Sequence, residues 1–383
     1  MTTPTGSTPT PDGPAPVGPT PPPDGPVPGP GEPVQRSPRA PAEHDPFRPA
    51  HDPELDAGPK APTTEAYGAG QHGLPGDHDG GGALVIGEAL VDIVERPGEE
   101  PVEHPGGSPA NVAVGLARLG RDVELVTWFA PDDRGATLRS HLELENVRLS
   151  AGSSRAARTS TARARLDESG SATYEFDLDW SPEAPAELGR PVLAHTGSIA
   201  AVIEPGARTV AATLDALRGT ATISYDPNAR PDLMGDAATA RQTVERLVAG
   251  ADVVKVSDED LAWLAPDEAP EDVARRWLTT GPALVVVTRG GEGAWAVAAS
   301  GEVTVPAERV DVVDTVGAGD SYMAGILDGL WGAGLLGAHR REALRAIDPD
   351  TVTRVLREAA TIAAITVSRA GANPPTRAEL TAR

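Results

Sequence analysis

The chain has 383 residues and a net charge of −23, from 56 acidic against 33 basic side chains, a balance that repels phosphate backbones and argues against general nucleic-acid binding. It contains no cysteine, which excludes disulfide frameworks, thiol catalysis and cysteine-based zinc sites. Roughly 18 apolar residues in a row would be needed to span a membrane and none occur, and the start lacks the basic and apolar regions of a secretory signal, so the expectation is a soluble, cytoplasmic protein.

About half of the 39 prolines fall before residue 80, in runs such as Pro21-Pro22-Pro23 and the repeated Pro-Asp-Gly-Pro. This stretch has too few aliphatic residues to offset its ordering entropy, so residues 1–82 are expected to form a disordered tail of polyproline-II character. Spaced prolines can dock to aromatic grooves, yet composition alone already predicts a solvated tether.

From Ala83 the pattern changes. Residues 83–93 read as one buried strand ending in polar residues. Gly106-Gly107-Ser108-Pro109-Ala110-Asn111 follows, and then residues 112–120, with apolar positions at helical spacing, proline near the start and glycine at the end. Residues 123–129 read as a strand and 135–146 as an amphipathic helix. Thr161-Ala162-Arg163-Ala164-Arg165-Leu166 alternates, Asp167-Glu168-Ser169-Gly170 has turn chemistry, and Tyr174, Phe176, Leu178 and Trp180 alternate with Glu175, Asp177 and Asp179. Together they predict a two-stranded ribbon with one apolar side, placed as a lid over about 158–180. The lid's aromatic stripe would either cover its own active site or pack on a partner lid in a homodimer. Arg163 and Arg165 could reach an acidic sugar or pair with the acidic face across the hairpin.

Strands are expected at 191–196, 221–225, 253–256 and 284–287, with helices such as 206–218 and 271–278 between them. This alternation predicts an α/β fold, a mostly parallel sheet covered by helices on both faces. His195, at a strand end, reads as a satisfied structural histidine.

The most informative stretch is Asp314-Thr315-Val316-Gly317-Ala318-Gly319-Asp320. A strand over 310–313 is expected before it and a helix after it. Small residues at a helix N-terminus leave backbone amides free to converge on an anion. Asp320 beside such donors could accept a proton from an attacking hydroxyl. Alone it could equally be a helix cap beside a tight turn.

The string 314–320 resembles the C-terminal signature of the PfkB/ribokinase family of carbohydrate kinases, and Gly106-Gly107-Ser108-Pro109-Ala110-Asn111-Val112-Ala113 resembles its N-terminal glycine-rich signature. The resemblance extends from Ala83 to the C-terminus, so that 83–383 is expected to be the kinase domain. It implies a ribokinase-like three-layer α/β/α fold with a small β lid, and ATP-dependent phosphorylation of a sugar hydroxyl, closest to the fructokinase branch. Other kinases of the family, for 2-keto-3-deoxygluconate, ribose or nucleosides, are the alternatives, as is a non-catalytic sugar-binding regulator.

The resemblance also carries roles. Asp320 matches the catalytic base, and Gly317, Ala318 and Gly319 match the anion hole. Asp92, Gly106, Gly107 and Asn111 match sugar-holding positions, to which the lid's Arg165 is added. Asn228, Lys255, Ser257, Thr288, Gly290 and Gly293 fall on nucleotide-side motifs. Where the family commonly has Asn-x-x-Glu, this chain has Ser257-Asp258-Glu259-Asp260. Asp260 is then the Mg²⁺ residue, through water if needed, with Glu259 as a substitute. The segment Ser368 to Thr376 resembles the one that often holds potassium through backbone carbonyls.

Overall fold

The structure, a computed structural model, describes residues 81–167 and 172–382. The tail expected over 1–82, apart from Gly81 and Gly82, and the turn residues 168–170 lie outside them. The strands are β1 (Ala83–Ile86), β2 (Leu90–Glu95), β3 (Val102–Gly106), β4 (Val123–Val126), β5 (Val147–Leu149), β6 (Thr161–Leu166) and β7 (Ala172–Asp177). They continue with β8 (Leu193–Gly197), β9 (Thr222–Asp226), β10 (Val253–Ser257), β11 (Leu284–Thr288), β12 (Ala294–Ala298) and β13 (Gly301–Val305). The helices that matter for the site are α1 (Ser108–Arg118), α2 (Asp133–Leu144), α3 (Gly206–Leu217) and α4 (Pro231–Met234). After them come α5 (Ala237–Gly250), α6 (Asp258–Leu264), α7 (Pro270–Leu278), α8 (Ala318–Gly332), α9 (Arg341–Arg345), α10 (Pro349–Val367) and α11 (Arg377–Thr381).

Nine strands form the main sheet in the order β13-β12-β11-β10-β9-β8-β1-β4-β5. Seven of them, from β5 to β11 across the sheet, run parallel, and the antiparallel pair β12 and β13 extends one edge. The strands are short runs of Val, Leu, Ile and Ala because both faces are covered. Val85 packs with α1, α8 and α10 through Val112, Leu116, Met323, Ile326 and Val355. Leu84 and Ile86, one position either side, face the opposite layer, where Val210 of α3, Val244 of α5 and Trp277 of α7 lie. Each such side chain contributes about 1.5–3 kcal/mol through burial. The three-layer α/β/α expectation holds.

A second sheet of four strands, β3-β2-β6-β7, forms the lid. It is larger than the two-stranded ribbon expected, because residues 83–93 are two strands in two different sheets. At the break, Gly87 N donates to Val126 O at 3.0 Å and Ala89 N to Thr127 Oγ1 at 3.0 Å. Those bonds end β1 in the main sheet and turn the chain outward, so that β2 pairs with β3 and β6 instead. The aromatic stripe also divides. Tyr174 and Phe176 stack, with ring centroids 6.2 Å apart. Trp180 lies beyond the end of β7, buried in the main core, with its indole N–H donating to Ala200 O at 3.0 Å.

The strand expected at 310–313 does not form. Val313 N and Asp314 N both donate to Val367 O at the end of α10, a tie from a loop to a helix terminus, and β13 ends earlier, at Val305. Among the described residues no helix is long and apolar enough to cross a membrane.

Candidate active site

The parallel strands end at a common edge, where carboxyl-end loops converge as open α/β sheets generally arrange them. A cavity of about 650 Å³ opens there between main sheet and lid, with Asp92, Ser108, Asn111, Arg230 and residues 315–320 in its walls and Tyr174 and Phe176 on the lid side. A second cavity of about 420 Å³, lined by Lys255, Ser257, Asp260, Thr288 and Gly290, adjoins it. Asn228, Arg230, Glu259 and Gly319 line both. Two chambers that meet at a helix N-terminus suit transfer of a group from one bound molecule to another.

Asp320 sits in the first turn of α8 and is 7% exposed. Ser108 Oγ donates to its Oδ1 at 2.7 Å and Asn111 Nδ2 to its Oδ2 at 2.8 Å. Ser108 and Asn111 are three apart on α1 and so share a helix face. Gly107 starts that helix with φ 107°, and a Cβ there would collide with Glu88 O, so only glycine admits this approach. Asn228 Nδ2 donates to Ser108 Oγ at 2.8 Å, and its contact with Asp320 Oδ1 is longer, 3.5 Å. Bonds to a carboxylate are roughly twice as strong as neutral ones, so the Asp320 carboxylate is held in one orientation in the chamber wall.

The turn before α8 is pinned from behind. Asp314 Oδ1 accepts from Val316 N at 3.0 Å and Oδ2 from Gly371 N at 2.8 Å. Gly317 has φ 73°, and a Cβ on it would lie 2.6 Å from Ala372 Cβ. The Ala318 amide donates to Thr315 O at 3.2 Å. Of Gly317, Ala318 and Gly319, expected to form an anion cradle, Ala318 thus spends its donor within the turn. The amides of Gly319 and Asp320 stand in the first helical turn, where geometry supplies no intrahelical acceptor.

Lys255 is buried at the same place, its Nζ 2.9 Å from Asp226 Oδ2 and 3.4 Å from where a Gly319 Cβ would lie. Burial acts to lower its pKa, but Asp226, Asp260 and Asp320 together override that and leave the ammonium above its ordinary value. Burial pushes Asp92 up to about 6, opposed by Arg230 and reinforced by Asp320. Gly106 backs directly onto the Asp92 carboxylate, which a Cβ would strike.

Several expected residues are placed elsewhere. Arg165 lies outside both chambers, paired with Glu95 at 2.9 Å and Glu175 at 3.2 Å, and Arg163 also pairs with Glu95. The acidic faces of β2 and β7 hold these arginines away from any sugar. Gly293 is in the turn between β11 and β12, where its carbonyl accepts from Arg289 N at 2.8 Å, and is likewise outside the chambers. Asp260 completes a capping box with Ser257: its Oδ2 accepts from Ser257 N at 3.1 Å and its Oδ1 from Ala229 N at 2.8 Å. Both oxygens thus hold backbone. Among the described residues no group of three potential metal ligands occurs. A Mg²⁺ bound here would have to keep most of its waters, and Glu259, the carboxylate lining both chambers, would be the side chain to hold it through them.

His195 is fully buried, Nδ1 3.0 Å from Ser224 Oγ, and burial lowers it to about 3. It is structural. Ser108 as a hydrogen-bond donor to Asp320, Arg230 and Glu88 were not singled out by sequence. Ser108 and Arg230 each stood inside a stretch that resembles the family, Arg230 at the end of Ser224-Tyr225-Asp226-Pro227-Asn228-Ala229-Arg230, whereas nothing local gives Glu88 a role.

Comparison with known proteins gives the family and the fold. Residues 82–379 match the pfkB family carbohydrate kinases. A fructokinase from Klebsiella pneumoniae is 38% identical over 280 residues, 70% of this chain and 88% of the relative. One from Rhizobium leguminosarum bv. trifolii is 38% identical over 259 residues, 64% of this chain and 79% of that protein. Fructokinase from Vibrio cholerae O395, solved with fructose, ADP and calcium ion, superposes with a TM-score of 0.65 at 27% identity, covering 78% of this chain and 97% of that one. Aminoimidazole riboside kinase from Salmonella enterica, complexed with aminoimidazole riboside and an ATP analog, gives 0.64 at 25% identity, covering 78% and 98%.

Proposed function

The chain belongs to the pfkB family of carbohydrate kinases, and from that premise we propose that it phosphorylates a neutral ketose, D-fructose in the first place, at the expense of ATP. The observation that carries the reading is Asp320, held by Ser108 and Asn111 where the two chambers meet. The sugar occupies the larger chamber, with Asp92, Gly107 and Asn111 among the groups that hold its hydroxyls. The nucleotide phosphates occupy the smaller one, near Lys255, Thr288, Gly290 and Asn228. Asp320 takes the proton from the acceptor hydroxyl, the freed oxygen attacks the γ-phosphorus in line, and the phosphorus–oxygen bond to ADP breaks. Gly319 and Asp320 amides, with the Lys255 ammonium, stabilise charge on the transferring group. Mg²⁺ would supply neutralisation of the phosphates, and Glu259, which lines both chambers, would be the carboxylate to meet its waters. Potassium fits the strap formed by residues 368–376, whose Gly371 and Ala372 pack on Asp314 and Gly317.

Charge favours a neutral sugar over a sugar acid such as 2-keto-3-deoxygluconate. The larger chamber is lined by Glu88, Asp92, Asp232, Glu259 and Asp320 against one guanidinium, Arg230. That guanidinium already donates to Asn228 O at 3.0 Å, Asn228 Oδ1 at 2.7 Å and Ala229 O at 2.9 Å. A second carboxylate would enter against like charge. A riboside is the second reading, favoured by the stacked Tyr174 and Phe176, which offer a ring face on the chamber wall.

Because those rings line this chain's own chamber, the apolar side of the lid covers the sugar. A homodimer would then form through the lid's edge strands, β3 and β7, and sedimentation equilibrium reads it. The central test is an ADP-release assay with fructose, ribose, 2-keto-3-deoxygluconate and adenosine, with Mg²⁺ and K⁺ present. Fructose should turn over fastest; silence across the panel overturns the reading.

A further inference from the structure

Glu88 is a buried carboxyl group in the wall of the sugar chamber that the phosphoryl-transfer reading leaves without a task. It stands at the break between β1 and β2, and its Oε2 accepts from Ala200 N at 3.2 Å, in the 3₁₀ turn Ser198–Ala201 that follows β8. The Ser198 side chain also hydrogen-bonds to it. Ser198 has φ 55°, in the left-handed region that serine seldom adopts. Such a conformation persists only where its surroundings over-determine it, and it collects at ligand-binding positions. Ser198 and Ile199 line the chamber, as do Arg230 and Asp92.

We propose that Glu88 is a positioning residue for the sugar: it clamps the left-handed turn at Ser198 and thereby fixes the chamber wall made by Ser198 and Ile199. This rests on the kinase reading above and deepens it. The two hydrogen bonds and the strain at Ser198 act together. A carboxylate that accepts from both the Ala200 amide and the Ser198 hydroxyl holds the turn wound, and the wall at the depth the sugar needs. Without the clamp Ser198 relaxes and the wall moves, whereas Asp320 and its partners on α1 and α8 keep their places.

Burial raises Glu88 to about 7, opposed by the Ser198 bond, its own and the Ala200 backbone amides, and the Arg230 charge. The other charged groups lining the chamber are Asp92 on β2, Asp232 on α4, Glu259 on α6 and Asp320 on α8. As pH falls through about 7 the carboxylate gains a proton and loses a lone pair, so the clamp weakens. Of those groups, Asp92 titrates near 6, so the comparison has to be between variants across the whole profile.

The test measures initial rates of fructose phosphorylation from pH 5.5 to 8.5 for wild type, Glu88→Gln, Ser198→Ala and the double variant. Glu88→Gln should raise the fructose KM about tenfold at pH 8, because the amide leaves one neutral acceptor oxygen where the carboxylate offered two charged ones, with kcat within about twofold. Its KM should lack the wild-type rise around pH 7. Ser198→Ala should move KM the same way, and the double variant should add nothing further, because both break one clamp. If Glu88→Gln does not fold, Ser198→Ala alone carries the KM test. A wild-type KM and pH profile in either single variant, a loss confined to kcat, or fully additive effects overturns the proposal. A wild type that phosphorylates no sugar would instead overturn the kinase reading.

Discussion

Ser108 and Asp320 stand 212 positions apart in sequence and 2.7 Å apart in space, the serine hydroxyl donating to the carboxylate. With the Asn111 bond to the other carboxylate oxygen, this bond joins the two signature segments and fixes the candidate base relative to α1. Its loss is informative because Ser108 also accepts from Asn228. Ser108→Ala should lower kcat about 10–100-fold, the range for a hydrogen bond to a charged group, and leave sugar KM nearly unchanged. Single-turnover rates, which report chemistry rather than product release, are the measurement to make.

Asp320→Asn removes the proton acceptor but keeps the shape. General-base catalysis typically contributes about 10²–10⁴-fold, so kcat should fall by that order. Binding of fructose by calorimetry and the melting temperature should change little. A variant with near wild-type turnover would contradict the role given to Asp320.

Gly317→Ala puts a Cβ where the backbone is left-handed and Ala372 leaves no room. A non-glycine residue there costs about 1–3 kcal/mol, so urea denaturation should show a lower midpoint. The displaced turn also misaims the amides that face the phosphoryl group, and kcat should fall by at least about tenfold. Stability lost without any loss of kcat would detach this turn from catalysis.

His195 gives a pH prediction. Its folded pKa is about 3, below the 6.5 of an ordinary histidine, so the unfolded chain binds its proton first as pH falls. Stability conferred by His195 is complete above about 6.5 and is lost toward 3, at up to about 1.4 kcal/mol for each pH step. Glu88 and Asp92 act in the opposite sense, since their raised values make the folded state bind protons first and favour it at lower pH. The pH dependence of the denaturation midpoint should therefore be steeper in wild type than in His195→Gln once the shared acidic contribution is subtracted. Equal slopes would contradict the buried neutral imidazole.

Much of this architecture was legible in the sequence because the relevant physics is local. Strand–helix alternation announced the parallel sheet, and a contiguous string from Asp314 to Asp320 announced the helix N-terminus and its acid. What escaped was set by distant partners. Residues 83–93 are mostly apolar and read as one run, and it is Val126 and Thr127, brought alongside by folding, that turn the chain between sheets. Trp180 continued an alternating pattern yet belongs to the core, because Ala200 supplies its acceptor. Arg165 offered a charge without revealing that Glu95, 70 positions away, already takes it. Asp260 matched a metal position by type, while its use by the amides of Ala229 and Ser257 depends on where two loops come to lie.

The lid's make-up has a practical side. Since β2 and β3 come from one stretch and β6 and β7 from another, with α1, β4, α2 and β5 threaded between them, no single contiguous cassette encodes it. Anyone transplanting it to alter substrate preference must graft two separated inserts at once, with the first seam at Gly87 to Ala89, beside Glu88.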